Sequence, residues 1–144
     1  MRSLVCMVDA LFAVYHRRAI QLASAMQLCQ DDLAAYASAA ALLAVHSAIS
    51  YSDAVLIGLD GRRPRNENHQ EAVRALRRAC GKAKVDHEGI SHLQRLVGAK
   101  TDISYGDRPV DNERTTALCI AAERFQVWAE RILQRRKEGF GHAG

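Results

Sequence analysis

The sequence contains few residues that interrupt helices. Only two prolines and nine glycines occur in 144 residues, and we find no run in which apolar and polar residues alternate as in a strand. Aromatic residues make up 6% of the chain, whereas alanine, the strongest helix former, is abundant. This composition excludes an all-β fold and predicts an all-α protein. A chain of this length fits one domain with a substantial core.

The motifs of several enzyme classes and metal sites are also missing. The four cysteines stand far apart in the sequence, with no CxxC and no Cys/His spacing suited to a metal. His87, Glu88 and His92 do not form HExxH, because the histidines are five positions apart and the motif requires four. Glycine-rich phosphate loops and GxSxG are absent. We therefore expect reduced thiols in a cytoplasmic protein with neither a metal nor a cofactor, and the residues define no particular enzyme.

Two apolar segments match export or membrane signals only in part. The segment up to residue 25 has the outline of a signal peptide, but Asp9 and the triplet His16-Arg17-Arg18 interrupt it. Residues 33–52 are uncharged for the length of a bilayer span. However, 13 of the 21 residues from Ala34 to Ala54 are Ala or Ser. We predict that this segment is the close-packed central helix of a bundle and that the protein has no membrane segment.

Apolar residues recur with a period of 3.6, which predicts five helices. The first helix ends near Gln30, and Asp31 or Asp32 caps the second, at about 32–59. Asn68 and Glu71 have the spacing of a capping box for a third helix that ends at Gly81.

The fourth predicted helix, at about 88–101, is shorter and is followed by a turn-rich connection at 102–110. Asp111 caps the fifth helix, and the basic tail should fray from about residue 135. The whole chain, residues 1–144, is then one helical domain. We predict an up-and-down antiparallel bundle of four core helices and one shorter helix.

The positive charge of the protein is concentrated in one segment. Residues 61–84 carry eight Lys/Arg against two acids, whereas the rest of the chain is close to neutral. Seven of these cations form what we call the basic patch: Arg62, Arg63, Arg65, Arg74, Arg77, Arg78 and Lys82. Such a local patch is a candidate surface for anions or nucleic acid. Alternatively, it is an ordinary solvated helix face. Because the segment lacks aromatic residues, contact with nucleic-acid backbone is expected over contact with bases.

One histidine and one acid in this region suggest a pair. On a helical wheel His69 points with the apolar residues of the third helix, so its imidazole needs a hydrogen-bond partner. Asp53 is the only charged residue between positions 33 and 59. We predict that Asp53 and His69 meet, either as an acid–base pair or as a structural clip.

Three stretches of the chain resemble the HEPN domain. They read HSAISYSDAVLIGLDG, NHQEAVRALRRA and HLQRLVGAKTDISYGDRPVDNERTTALCIAAERFQVWAERIL. The resemblance covers roughly residues 9–134 and implies a helical bundle that forms a homodimer. Active members of this family are metal-independent ribonucleases, often toxins paired with a small nucleotidyltransferase-type antitoxin. Their signature is an Arg followed four to six residues later by His.

The matching stretch of this chain departs from the signature. It has Lys100 in place of arginine and Tyr105 where the histidine is needed, with Asp102 between them. Lysine lacks the bidentate guanidinium, and tyrosine titrates far above neutral pH. Arg63 and His69 do satisfy the signature spacing, on a different loop.

These observations lead to three hypotheses. The first is a non-catalytic HEPN-like bundle that binds RNA, a nucleotide or a partner protein through the basic patch. The second is a ribonuclease toxin that uses the displaced groups Arg63, His69 and Asp53. The third is a structural dimer that docks an acidic partner.

Overall fold

The computed structural model describes residues 3–63 and 68–141 of the chain. Five helices and no strand occur within these residues, so the predicted all-α bundle is confirmed. They are α1 (Leu4–Gln30), α2 (Leu33–Asp60), α3 (His69–Ala83), α4 (Ile90–Tyr105) and α5 (Asn112–Gly141). Three of the helices are long, and α3 and α4, with 15 and 16 residues, are both short.

The central element of the bundle is α2. It packs against each of the other four helices, and 15 of its 28 residues are buried. Alanine and serine dominate its sequence, and their small side chains let the neighbouring helices approach closely. By length and composition α2 is also the one helix, among the described residues, that could cross a bilayer. Its burial within the bundle matches the predicted central helix.

The predicted caps fix the ends of the helices. Asp32 caps α2 by accepting from the N–H of Ala35 at 3.3 Å. Asp111 accepts from the N–H of Arg114 at 2.7 Å at the start of α5. Each cap satisfies an amide that the first helical turn leaves without a partner. Only two residues, Asp31 and Asp32, join α1 to α2, so these two helices form an antiparallel hairpin.

Three predicted boundaries were wrong. The third helix continues past Gly81 to Ala83, and Lys84 takes the left-handed conformation with φ 57°. The fourth helix begins at Ile90 rather than 88 and runs through residues 102–105, predicted as a turn, because no glycine or proline stands between Gly98 and Gly106. The fifth helix extends to Gly141, and the fraying expected from about residue 135 stays a prediction.

The cysteines divide into two groups. All four are free thiols. Cys80 and Cys119 are buried, and burial raises the pKa of each to about 11. These two fit the predicted role of small apolar groups. Cys6 is exposed and Cys29 is only partly buried.

A glycine fixes the packing of α4 against α5. Gly89 precedes α4 directly beneath the indole of Trp128, where a Cβ atom would lie 2.3–2.6 Å from three ring carbons. Trp128 stacks on Phe125, with ring centroids 5.4 Å apart, and its Nε1 donates to Asp86 at 2.8 Å. The indole is therefore held from both sides and has little room to move away from position 89.

We predict that Gly89→Ala lowers the free energy of unfolding by about 1–3 kcal/mol, the usual cost of an overpacked core. Gly98→Ala is the matched control, because a Cβ there meets no atom within 4 Å. That substitution should raise stability by about 0.5–1 kcal/mol, the helix cost of glycine relative to alanine. Urea unfolding of both variants tests this, and equal effects at the two positions would contradict it.

Candidate anion-binding site

A cavity of about 360 Å³ opens between the end of α2 and one side of α3. We call it the basic cavity. Its cations are Arg62 and Arg63 after α2 and Arg78 and Lys82 on α3. Two acids, Asp60 and Glu71, share the lining, and Leu56, Ala75 and Ala79 form its apolar surface. Four members of the basic patch thus surround one concave space.

The local sequence explains how the two segments converge. Gly61 ends α2 in the left-handed conformation, with φ 74°, and its N–H bonds the carbonyl of Ile57 at 2.9 Å. Glycine adopts this conformation without the penalty that a Cβ brings. The turn directs Arg62 and Arg63 towards α3. The N-cap of α3 is Asn68, whose side chain accepts from the N–H of Gln70 at 3.1 Å.

Arg63 links the basic cavity to the interior of the bundle. Its Nη1 lies 3.8 Å from Oδ2 of the buried Asp53. Its Cζ also lies 4.7 Å from the ring centroid of Tyr15 on α1, and Arg18 approaches the same ring at 5.0 Å. Both distances suit cation–π contacts. The guanidinium of Arg63 is therefore positioned by α1 and α2 together while it lines the cavity.

Asp53 is a carboxyl group in an unfavourable environment. Burial raises its pKa to about 6, although the nearby Arg63 and Arg18 act in the opposite direction. The cation that pairs with Asp53 among the described residues is Arg63, and the Asp53–His69 pair stays a prediction. His69 begins α3 as a partly buried residue.

Two further members of the basic patch, Arg74 and Arg77, do not line the cavity. Glu71 binds Arg74 at 2.9 Å and Arg78 at 3.3 Å. Hydrogen bonds from these two arginines lower the pKa of Glu71. The Glu71 carboxylate therefore binds these two arginines. It does not complete the predicted capping box with Asn68. Arg77 turns away from the cavity and donates to Oε1 of Gln94 on α4 at 3.1 Å. Arg65 lies outside the described residues.

Lys100, Asp102 and Tyr105, which the HEPN resemblance singled out, are spread around α4 within one chain. Lys100 and Asp102 lie about 160° apart around α4, given 100° per residue. Asp102 forms an ion pair with Arg114 at 2.7 Å and lines a separate cavity of about 510 Å³ at the connection between α4 and α5. Tyr105 is 80% exposed at the end of α4.

Comparisons with known proteins give no family for the chain. No model of a known protein family matches it, and no curated protein sequence matches it either.

Lys100 does have a histidine near it, but from another helix. Burial lowers the pKa of His46 on α2, and the charge of Lys100 lowers it further, by a smaller amount. The imidazole is partly buried and therefore favours its neutral form at neutral pH. Sequence reasoning missed this neighbour because 54 positions separate the two residues and only the packing of α2 on α4 brings them together.

A second polar cluster, joining α1, α2 and α5, was also missed. Oε1 of Glu130 accepts from Nε2 of His16 at 2.7 Å and from the hydroxyl of Tyr51 at 2.8 Å. Gln126 donates to the same hydroxyl at 3.2 Å. Burial and the hydrogen bond to Glu130 raise the pKa of Tyr51. No local spacing could predict this cluster, since His16 and Glu130 are 114 residues apart.

The described part of the chain contains no candidate metal site. Among residues 3–63 and 68–141, no three His, Cys, Asp or Glu side chains are grouped so that they could hold a metal ion.

The environment of Asp53 predicts a pH-dependent stability. The pKa of Asp53 is about 6 in the folded protein, whereas its ordinary value is 3.8. Folding therefore favours the protonated form. Stability from this group is present below about pH 4 and is lost as the pH rises through about 6. Asp53→Asn should therefore be more stable than the wild type at pH 8, by at most about 3 kcal/mol. At pH 4 the difference should vanish.

Urea unfolding of both proteins at pH 4, 6 and 8 measures this difference. An advantage of the variant that stays constant across this range would contradict the assignment of the effect to the Asp53 carboxyl group.

Proposed function

We propose that this protein binds single-stranded RNA through its phosphate backbone, at the basic cavity, without cleaving it. The observation that carries the proposal is the convergence of Arg62, Arg63, Arg78 and Lys82 from two segments on one concave space. Cations presented together bind phosphates more strongly than the same charges dispersed over a surface, because each contact releases a counterion.

The composition of the cavity favours backbone contacts. Among the described residues, its lining contains four cations, two acids and three apolar residues but no aromatic side chain. Stacking of bases, the usual source of affinity for unpaired bases, therefore has no platform there. The ring of Tyr15 lies close by, but Arg18 and Arg63 already cover it. Arginine forks suit the geometry of phosphate oxygens.

The two carboxylates tune the cavity without neutralising it. Glu71 holds Arg74 and Arg78 by hydrogen bonds, which limits the freedom of two long side chains. Asp60 pairs more loosely with Arg62, at 3.6 Å. Fixing the cations in advance reduces the entropy that binding would otherwise cost. A cavity with twice as many cations as acids remains attractive to an anion.

The ribonuclease alternative has one observation in its favour. His46 lies near Lys100, so a base and a cation occur together beside the HEPN-like segment. Against it, Asp102 is engaged by Arg114, and Tyr105 extends into solvent. The displaced candidates Arg63 and Asp53 are engaged with each other. For these reasons binding is the function that we propose.

We predict that Arg78→Gln together with Lys82→Gln weakens binding of a labelled oligouridylate and makes it less dependent on salt. The slope of log Kobs against log salt should become less negative by about 0.7 for each lost phosphate contact. Fluorescence anisotropy over a salt series measures both quantities. Arg17→Gln is the control for the loss of a charge away from the cavity, because Arg17 lies on the exposed face of α1.

The outcomes separate the three hypotheses. Salt-dependent binding that the double variant weakens, with the RNA intact on a gel, supports the proposal. Cleavage that survives a chelator and is lost in His46→Gln supports the ribonuclease. Absence of binding at low salt would refute both and leave the interaction module.

An interaction module is the second candidate function, because α1 carries an exposed apolar stripe in addition to the residues that it buries in the bundle. Leu4, Met7, Leu11 and Val14 follow heptad spacing and are 79%, 57%, 41% and 50% exposed. The buried residues of α1, Ala19, Ala23 and Met26, lie nearer its other end. Helices that carry apolar residues at heptad spacing pair with one another, and their side chains interlock. The occupant that we propose is a second copy of this chain, related by a two-fold axis.

We predict that Met7→Glu with Leu11→Glu converts a dimer into a monomer, because the variant buries two charges in the apolar contact. Light scattering coupled to gel filtration measures the mass. Val127→Glu, on the exposed side of α5 and 69% exposed in the wild type, is the control and should leave the mass unchanged. A wild-type protein that is monomeric at high concentration would exclude this assembly.

A further inference from the structure

The cationic surface does not end at the basic cavity. Around α3, Lys82 and Arg78 face the cavity, Arg74 follows, and Arg77 lies on the side of α4. Measured from the buried Val73, these four side chains stand at about 180°, 140°, 100° and 40°, given 100° per residue. The cations therefore extend around the exposed side of α3, from the cavity to the next helix, with Glu71 bound to two of them, Arg74 and Arg78.

The surface crosses from α3 to α4 at a hydrogen bond. Nη2 of Arg77 donates to Oε1 of Gln94 at 3.1 Å. Beyond Gln94, the outermost positions of α4 are Ser91 and Gly98, both exposed. A Cβ added at Gly98 would meet no atom within 4 Å, so the surface of the helix is open there. We call the surface from Ser91 to Gly98 the Ser91–Gly98 crest. An extended chain has room to pass close to the backbone of α4 at this point.

Two arginines stand on the far side of this crest. Arg95 on α4 lines a cavity of about 200 Å³, and Arg124 on α5 lines one of about 230 Å³ that also contains His92. His92 lines the same cavity as Arg124, and Arg95 follows His92 by three positions on α4, so these two side chains are neighbours on the helix surface. Arg95 and Arg124 therefore both flank His92 between α4 and α5. In agreement, burial and then the charges of Arg124 and Arg95 lower the pKa of His92.

These two arginines differ from their neighbours in having no acidic partner. Within the described residues, neither Arg95 nor Arg124 forms an ion pair or hydrogen bond, whereas Arg114 binds Asp102 and Arg131 binds Asp86. Glu88 lines the same cavity as Arg124 but forms its ion pair with Arg131, at 3.5 Å. The like charges of Arg95 and Arg124 repel each other. An anion between Arg95 and Arg124 would remove that repulsion.

We propose that a bound single-stranded nucleic acid continues from the basic cavity over α3 and the Ser91–Gly98 crest of α4 to a second phosphate-binding point formed by Arg95 and Arg124. This inference rests on the proposed function and deepens it, because it assigns the ligand as a polymer. Neighbouring helices pack about 8–10 Å apart, so the path from α3 to α5 spans about 20 Å. A single nucleotide cannot cover that distance, whereas a strand of about four or more nucleotides does so.

The test uses the full chain and a fluorescent oligouridylate of about 12 nucleotides, within the site sizes of single-strand binders. Arg95→Gln with Arg124→Gln should make the salt slope less negative by about 0.7, for the one phosphate held between the two arginines. Affinity at about 50 mM salt should fall about tenfold. Arg95→Lys with Arg124→Lys keeps both charges and should retain the wild-type slope. Arg17→Gln is the control for the loss of a charge away from the proposed path, and the thermal unfolding of each variant checks its fold.

Each outcome decides a separate point. If the wild type binds and the cavity variant Arg78→Gln/Lys82→Gln is weakened, but the Arg95/Arg124 variant matches Arg17→Gln, the second point is refuted and the proposed function stands. If uridine monophosphate competes as well as the oligonucleotide at equal phosphate concentration, the polymer assignment is refuted. If polyglutamate of equal charge displaces the RNA with the same salt slope, the surface serves an acidic protein instead. If the wild type does not bind the oligonucleotide at all, the proposed function itself fails.

Discussion

The structure depends on the burial of α2 on all sides. A helix rich in alanine and serine gains little from the burial of any one side chain, so its stability comes from close contact along its length. That contact requires neighbours on every side, and the other four helices supply them. The same constraint explains the buried polar groups. Tyr51 and Asp53 belong to α2, and both must find partners on α1, α5 or the following loop.

Asp53 is the point at which the core and the candidate site meet. A lone carboxylate in the interior is costly, and the cation that approaches it comes from the loop after α2. The ion pair is long, at 3.8 Å, and the pKa of Asp53 remains raised to about 6. The core therefore loses stability at neutral pH to hold Arg63 in the wall of the basic cavity. Arg63 is supported from the opposite side by Tyr15 of α1, so the cavity is tied to the hairpin of α1 and α2.

Helix caps were the most predictable part of the structure, because they depend on neighbouring residues alone. Asp32, Asn68 and Asp111 each cap the helix that was expected. Interactions between side chains were less predictable even at short range. Glu71 had two sets of donors within reach, the backbone at the start of α3 and the guanidinium groups of Arg74 and Arg78, and the charged donors prevailed. The ends of α3 and α4 were also missed, because packing carries a helix past weak stop signals.

The sequence by itself determined the helical class, the central position of the alanine-rich segment and the concentration of positive charge in residues 61–84. These properties follow from periodicity and composition, which are local. Only the tertiary structure decided which cations share a cavity, that Asp53 faces Arg63, and that His46 lies near Lys100. It also separated Lys100 and Asp102, neighbours in sequence, on different sides of α4. Such pairings depend on how each helix is rotated against the next, and packing of the whole core sets that rotation.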